Sequence, residues 1–123
     1  MQYKVLQIQL SHAEVEMVNT GVQLRKHVLK SWMFGKHVVE NAKKALDADY
    51  YDHVMTVDAK NLEDVYAVGN FMHDRDLDKV QVHGTFSSVS VGDVVVDEND
   101  FAFVVDMFGF EMLPVPNLSL IHI

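Results

Sequence analysis

Cysteine is absent from this sequence. That removes disulfides, thiolate catalysis and cysteine-ligated zinc from consideration. Proline is scarce, with two residues, and both fall near the C-terminal end. No apolar run approaches the roughly 18 residues that a membrane-spanning helix needs. The opening "MQYKVLQIQL" has one lysine and no long apolar region, so no secretory leader is expected there, and a cytoplasmic location is the default expectation. The scarcest feature is positive charge in one region: the last 44 residues hold six acids and no lysine or arginine.

What is present is ordinary for a folded chain. Of 123 residues, 49% are hydrophobic and 23% charged. Those values fit one globular domain with a modest core and argue against disorder. The formal net charge is −8, which favours solubility and disfavours broad nucleic-acid binding. All ten basic residues lie in the first 79 positions. Within them, Arg25, Lys26, Lys30, Lys36, Lys43 and Lys44 outnumber Glu40 six to one. A basic middle segment therefore precedes an acidic C-terminal third. Solvated, weakly attracting faces are the simplest account of that split.

Tyr3 to Leu10 alternates, with a break at Leu6, as a half-buried strand does. Ser11 and Glu14 form a Ser-x-x-Glu capping box, which predicts a helix from His12 to about Asn19 closed by Gly21 in the left-handed conformation. The segment from Val22 to Tyr51 reads as helical. Val38, Val39, Ala42, Ala45 and Leu46 make an apolar stripe, and Gly35 separates it from a weaker stripe at Leu24 and Val28. "SWMF", residues 31–34, is a bulky junction whose expected role is core packing, with an exposed partner-binding knob as the second reading. Residues 51–59 read as a strand with Tyr51, His53, Met55 and Val57 on one face. Asn61 caps a helix lined by Leu62, Val65, Tyr66 and Gly69. Beyond Val80 the pattern is β, with a hairpin around "DEND", residues 97–100. The fold expected is a single α+β domain over residues 1–123, with a mainly antiparallel sheet of three to five strands packed on two to four helices.

"SVSVGDVVV", residues 88–96, reads as strand, turn, strand. Gly92 supplies positive φ, and Asp93 accepts a nearby backbone N–H. Ser88 and Ser90 fall on one face of such a strand. A serine nucleophile needs a base, and no G-x-S-x-G elbow is present, so these residues read as structural first. The run from Ser88 to Leu113, "SVSVGDVVVDENDFAFVVDMFGFEML", resembles the C-terminal part of YodL-like domains, small accessory proteins carried by tailed phages and related mobile elements. "QIQLSHAEVEMVN" (residues 7–19) and "VMTVDAKNLEDVYAVGNF" (residues 54–71) resemble the same group. Together these stretches cover about half the chain, and Gly21 to Asp49 lies outside them. The resemblance implies phage origin, hence host-cell cytoplasm, and an α+β fold. It brings no catalytic residue with it.

Seven histidines raise the question of a metal, but no pair has the spacing of a helical zinc motif. "HDRD", His73 to Asp76, lacks a calcium-loop pattern and reads as a solvated loop. No phosphate-cradling glycine loop exists. No metal, cofactor or catalytic residue is therefore assigned. The leading functional expectation is a non-catalytic binding module with a protein partner and no membrane association. Its contact candidates are Tyr3, Trp32, Phe34 and the acidic hairpin Asp97, Glu98 and Asp100. A second expectation is an acidic mimic of DNA that blocks a DNA-binding enzyme. A third is a small hydrolase or nucleotide-modifying enzyme built on His83, Ser88, Ser90 and Asp93, which requires one pocket joining them. The apolar tail "LSLIHI" is a candidate for homodimerisation or for core burial.

Overall fold

The computed structural model describes residues 1–70, 78–107 and 109–114. Its central strand is β1 (Gln2–Ile8). Tyr3 and Val5 enter one apolar core, while Leu6 and Ile8 enter another. Leu6 is thus no break in a half-buried strand. It is the first residue of a second buried face, and plain alternation accounts for both. A strand covered on both sides is the interior of a three-layer arrangement.

β2 (Tyr51–Asp58) pairs antiparallel with β1. Val5 faces Met55 but Leu6 faces His53, so Val54 is an extra residue, a β-bulge. The bulge resets the alternation. Tyr51 joins the core of Leu6, while Met55 and Val57 join the core of Tyr3, so the single face expected for β2 is split between two. On the other side of β1 lies β4 (Val94–Val96), followed by β5 (Ala102–Asp106) and β6 (Gly109–Met112). β3 (Val80–Val82) borders β2. The six strands run in the order β3-β2-β1-β4-β5-β6, every neighbour antiparallel. The α+β class is as expected, with one strand more than the upper bound. Both edge strands are short, and both fall in the region beyond Val80 expected to be β.

α1 (His12–Asn19) starts at the capping box: Ser11 Oγ accepts the Glu14 N–H at 3.1 Å and Glu14 Oε1 accepts the Ser11 N–H at 2.8 Å. It ends at Gly21 (φ +93°), where the Val22 N–H reaches Met17 O and the Gly21 N–H reaches Val18 O, the double closure of a Schellman motif. α2 (Arg25–Ser31) and α3 (His37–Asp47) cover the Leu6 face. α4 (Leu62–Gly69) covers the Tyr3 face and is capped by Asn61, whose side chain accepts the Asp64 N–H at 2.8 Å. It buries Val65, Val68 and Gly69, while Tyr66, expected inward, is exposed. Among the described residues no helix is long and apolar enough to cross a membrane.

One connection is unusual. β3 is at one edge of the sheet, yet the next strand, β4, lies beyond β1. Residues 83–93 therefore cross the sheet. They do so without forming a strand, so the strand expected over Ser88 to Val91 is absent. Val89 is held in the core against Gly69, where a Cβ would approach Val89 Cγ2 at 2.5 Å.

Candidate functional site

Where the crossing segment passes over β1 it meets Gln7, a polar residue 1% exposed amid apolar neighbours. A buried amide left unpaired costs several kcal/mol, and Gln7 is fully engaged. Its Nε2 donates to Ser87 O (2.9 Å) and to Asp93 Oδ2 (3.0 Å), and its Oε1 accepts from the Ser87 N–H (3.0 Å) and Gln9 Nε2 (2.9 Å). Asp93 Oδ2 also accepts the Ser90 N–H at 2.9 Å. The Asp93 N–H returns to Ser90 O, and Gly92 and Asp93 together face Val105, whose N–H goes to Asp93 O while its carbonyl takes the Gly92 N–H. This is a turn closing on a glycine bulge, with Gly92 at φ +94°. Tyr51 Oη donates to Gly92 O at 2.6 Å.

Burial pushes the Asp93 carboxyl up to about 7, against the opposing pull of the Ser90 N–H, Gln7 and Lys30. Burial first, and the Asp93 charge second, raise Tyr51 far above the usual phenol value. The corner resembles an active site in composition, and its chemistry is that of a clamp. A cavity of about 220 Å³ adjoins it, lined by Lys30, Met33, Ser90 and Asp93 among others. Ser90 contributes its backbone N–H and carbonyl, and its hydroxyl has no hydrogen-bond partner among the described residues. Ser88 is exposed and offers only its carbonyl to Gln7, at 3.5 Å.

His83 is elsewhere. It lines a different cavity, of about 340 Å³, with Gln9, Lys26, Asp52 and His53. Its Nε2 lies 2.8 Å from Thr56 Oγ1, which His53 Nε2 also approaches at 3.1 Å. Burial, then His83 and Lys4, hold His53 below the ordinary imidazole value. His83 therefore lines a different cavity from Ser90 and Asp93.

The acidic hairpin is partly spent on itself. Asp97 Oδ1 accepts the N–H groups of Asn99 (2.9 Å) and Phe101 (3.0 Å), and Glu98 Oε1 accepts the Gln2 N–H at 2.6 Å. Asp100 takes positive φ (+65°) to close the turn. With Asp93 enclosed as well, three of the six C-terminal acids hold the fold together. Tyr3, expected at a contact surface, is buried beneath this hairpin, with burial, Asp97 and Glu98 raising its phenol.

Trp32 and Phe34 are the opposite case. α2 ends at Trp32, Gly35 turns the chain at φ +55°, and α3 begins two residues later. Met33, between them, is 8% exposed and packs against Gly92 and the Leu6 core. Its neighbours point the other way: Trp32 is 53% and Phe34 52% exposed. Their rings stack at 5.7 Å with 25° between planes, and the His37 ring stands edge-on to both, 6.5 Å from Trp32 and 6.1 Å from Phe34. Core packing, expected for the whole junction, holds for Met33 alone. Each half-exposed ring forgoes on the order of 1 kcal/mol of burial.

The loop His73–Asp76 and the tail "LSLIHI" lie outside the described residues. Among the described residues, no group of three or more histidine or acidic side chains is arranged to hold a metal ion. Two structurally central residues, Gln7 and His37, carry no sign of their role in the sequence, whereas Met33 is expected in the core. Gln7 sits at an ordinary polar position of an alternating strand, and only the crossing segment buries it. His37 and Met33 take their roles from the α2–α3 turn. No protein-family model, curated protein or solved structure matches the chain.

Proposed function

We propose that this protein is a non-catalytic binding module, a phage accessory protein by its resemblance, that engages a macromolecular partner through the α2–α3 turn. One observation carries the reading: Trp32 and Phe34 stack on each other in solvent while Met33 between them anchors the turn to the core. Large aromatic residues on a rigid support are what interfaces use as anchors. Of the residues that would favour an enzyme, His83 lines one cavity and bonds to the Thr56 hydroxyl, while Ser90 and Asp93 line another, where the Asp93 carboxylate takes the Ser90 N–H. The acid distribution gives less support to mimicry of DNA than the total charge does, because Asp93, Asp97 and Glu98 are engaged internally.

A photo-crosslinking amino acid at Phe34 tests this. Exposed to bacterial lysate, it should give a discrete crosslinked product that the same group at the exposed Lys60, beside α4 on the other sheet face, does not give. Adding Trp32→Ala to the Phe34 probe should abolish the product. Equal products from both positions, or none from either, overturn the reading.

A further inference from the structure

We infer that the partner of the α2–α3 surface is a single-stranded nucleic acid, its bases stacking on Trp32 and Phe34 and its phosphates held by the surrounding lysines. The inference rests on the binding-module reading and names its ligand. Two independent features converge on it. The first is the rings themselves. They are stacked at 5.7 Å with 25° between planes, and each is about half exposed, so the pair presents π surface rather than an aliphatic knob. Every base has a π face, and stacking on such rings is tolerant of sequence. Val28, one helical turn before Trp32, is also exposed and extends the apolar floor.

The second is charge. Residues 25–44 carry six cations and one acid. That acid, Glu40, is already paired with Lys44 at 3.1 Å, and Lys26 is paired with Glu14 at 3.3 Å. Arg25, Lys36 and Lys43 are exposed and have no ion-pair partner among the described residues. Lys30 is exposed too, at the rim of the cavity beside Met33. The surface therefore carries unneutralised positive charge on the element that displays the rings.

The net charge of −8 is unevenly placed. Near the turn Glu14 and Glu40 are paired with Lys26 and Lys44, and Asp93 is enclosed beside Lys30. Glu98 and Asp58 are bound at the start of β1, to the Gln2 N–H and to the terminal amine. Lys30 and Met33 lie at the other end, sharing a cavity with Ile8. Six residues of strand between Gln2 and Ile8 span about 20 Å. Screening at physiological salt acts over about 8 Å, so the acidic end barely reaches the basic one. The expectation against nucleic-acid binding rests on the total charge, and the inferred contact rests on the local one.

Titration of a fluorescein-labelled oligothymidylate, and of the matching oligouridylate, with the intact protein at low salt tests the inference. Trp32 is the only tryptophan, so its own fluorescence reports stacking without a label. Binding should quench it. Trp32→Ala or Phe34→Ala should each weaken binding about tenfold, the equivalent of roughly 1.4 kcal/mol and within the range for one stacked base. Lys30→Gln with Lys36→Gln should lower the slope of log affinity against log salt by roughly 1.4, two single-strand phosphate contacts. The two oligonucleotides distinguish DNA from RNA through the 2′-hydroxyl. A polyglutamate peptide supplies charge without bases. If it binds as tightly and quenches Trp32 as much, or if oligonucleotide binding survives both ring variants, the inference is overturned. Absence of oligonucleotide binding overturns it too. In that case a Trp32-dependent crosslink at Phe34 would still uphold the binding module, and its absence would remove both.

Discussion

Two of the turns built on a positive-φ glycine, at Gly92 and Gly35, face opposite ways. At Gly92 the chain closes inward: Asp93, Ser90, Ser87 and Gln7 are joined by hydrogen bonds, and Tyr51 Oη donates to the Gly92 carbonyl. At Gly35 it opens outward, and two aromatic rings remain in water. The stretch rich in nucleophilic and acidic side chains is the structural one, and the stretch of bulky apolar residues is the exposed one. Composition alone ranks them the other way. The difference lies in what each turn rests on. The crossing segment lies on a sheet and must satisfy its backbone there, whereas the α2–α3 turn is anchored in the core by Met33 and tied by Asn41 Nδ2 to Trp32 O, with the two rings left half exposed.

The two turns also touch, and the largest expected effect follows from that. A Cβ at Gly92 would lie 2.7 Å from Met33 Cβ, on a backbone already at φ +94°. Gly92→Ala should cost about 3 kcal/mol or more, the left-handed penalty of ~1–2 kcal/mol plus overpacking. Gly35→Ala has the same kind of φ with nothing within 4 Å, so it should cost only about 1 kcal/mol. Urea midpoints of the two variants measure the difference, and equal midpoints would mean that the turns do not pack together.

Asp93→Asn comes next and isolates the carboxyl. Both donors, Gln7 Nε2 and the Ser90 N–H, reach the same oxygen, Oδ2, so an amide oxygen in that position keeps both bonds. The folded value is about 7, well above the ordinary carboxyl value of 3.8. The protonated form is therefore favoured by folding. Its stabilisation is complete below about pH 4 and is lost as pH rises through 7. Wild type should weaken relative to Asp93→Asn by roughly 3–4 kcal/mol from pH 4 to pH 8. Parallel pH–stability curves would contradict the burial of that charge.

Gln7→Leu follows. It fits the core by size but strands the Ser87 N–H and removes one of two donors to Asp93. A loss of about 2–3 kcal/mol is expected, read by chemical denaturation. A neutral result would show that the clamp is dispensable.

The smallest effect is expected at Ser90→Ala. The hydroxyl has no partner among the described residues, and the backbone bonds to Asp93 do not need it. The thermal midpoint and the Phe34 crosslink should both be unchanged, with any stability change within about 0.5 kcal/mol. Loss of the crosslink with the fold intact would return Ser90 to the list of functional groups and reverse the comparison.

Local signals determined a good deal by themselves. The Ser11–Glu14 box, the Schellman closure at Gly21, the Asn61 cap, the break at Gly35, positive φ at Gly92 and the hairpin at 97–100 all depend on residues within a few positions of one another. Their energetics are settled by the adjacent chain. The bulge at Val54 that splits β2 between two cores was not legible, nor was the sheet-crossing path that buries Gln7 and joins it to Asp93 across 86 positions. The division of "SWMF" into one buried and two exposed residues was hidden for the same reason. Burial is a property of what lies opposite a side chain. Which segments lie opposite is decided by strand order, and strand order depends on the whole chain.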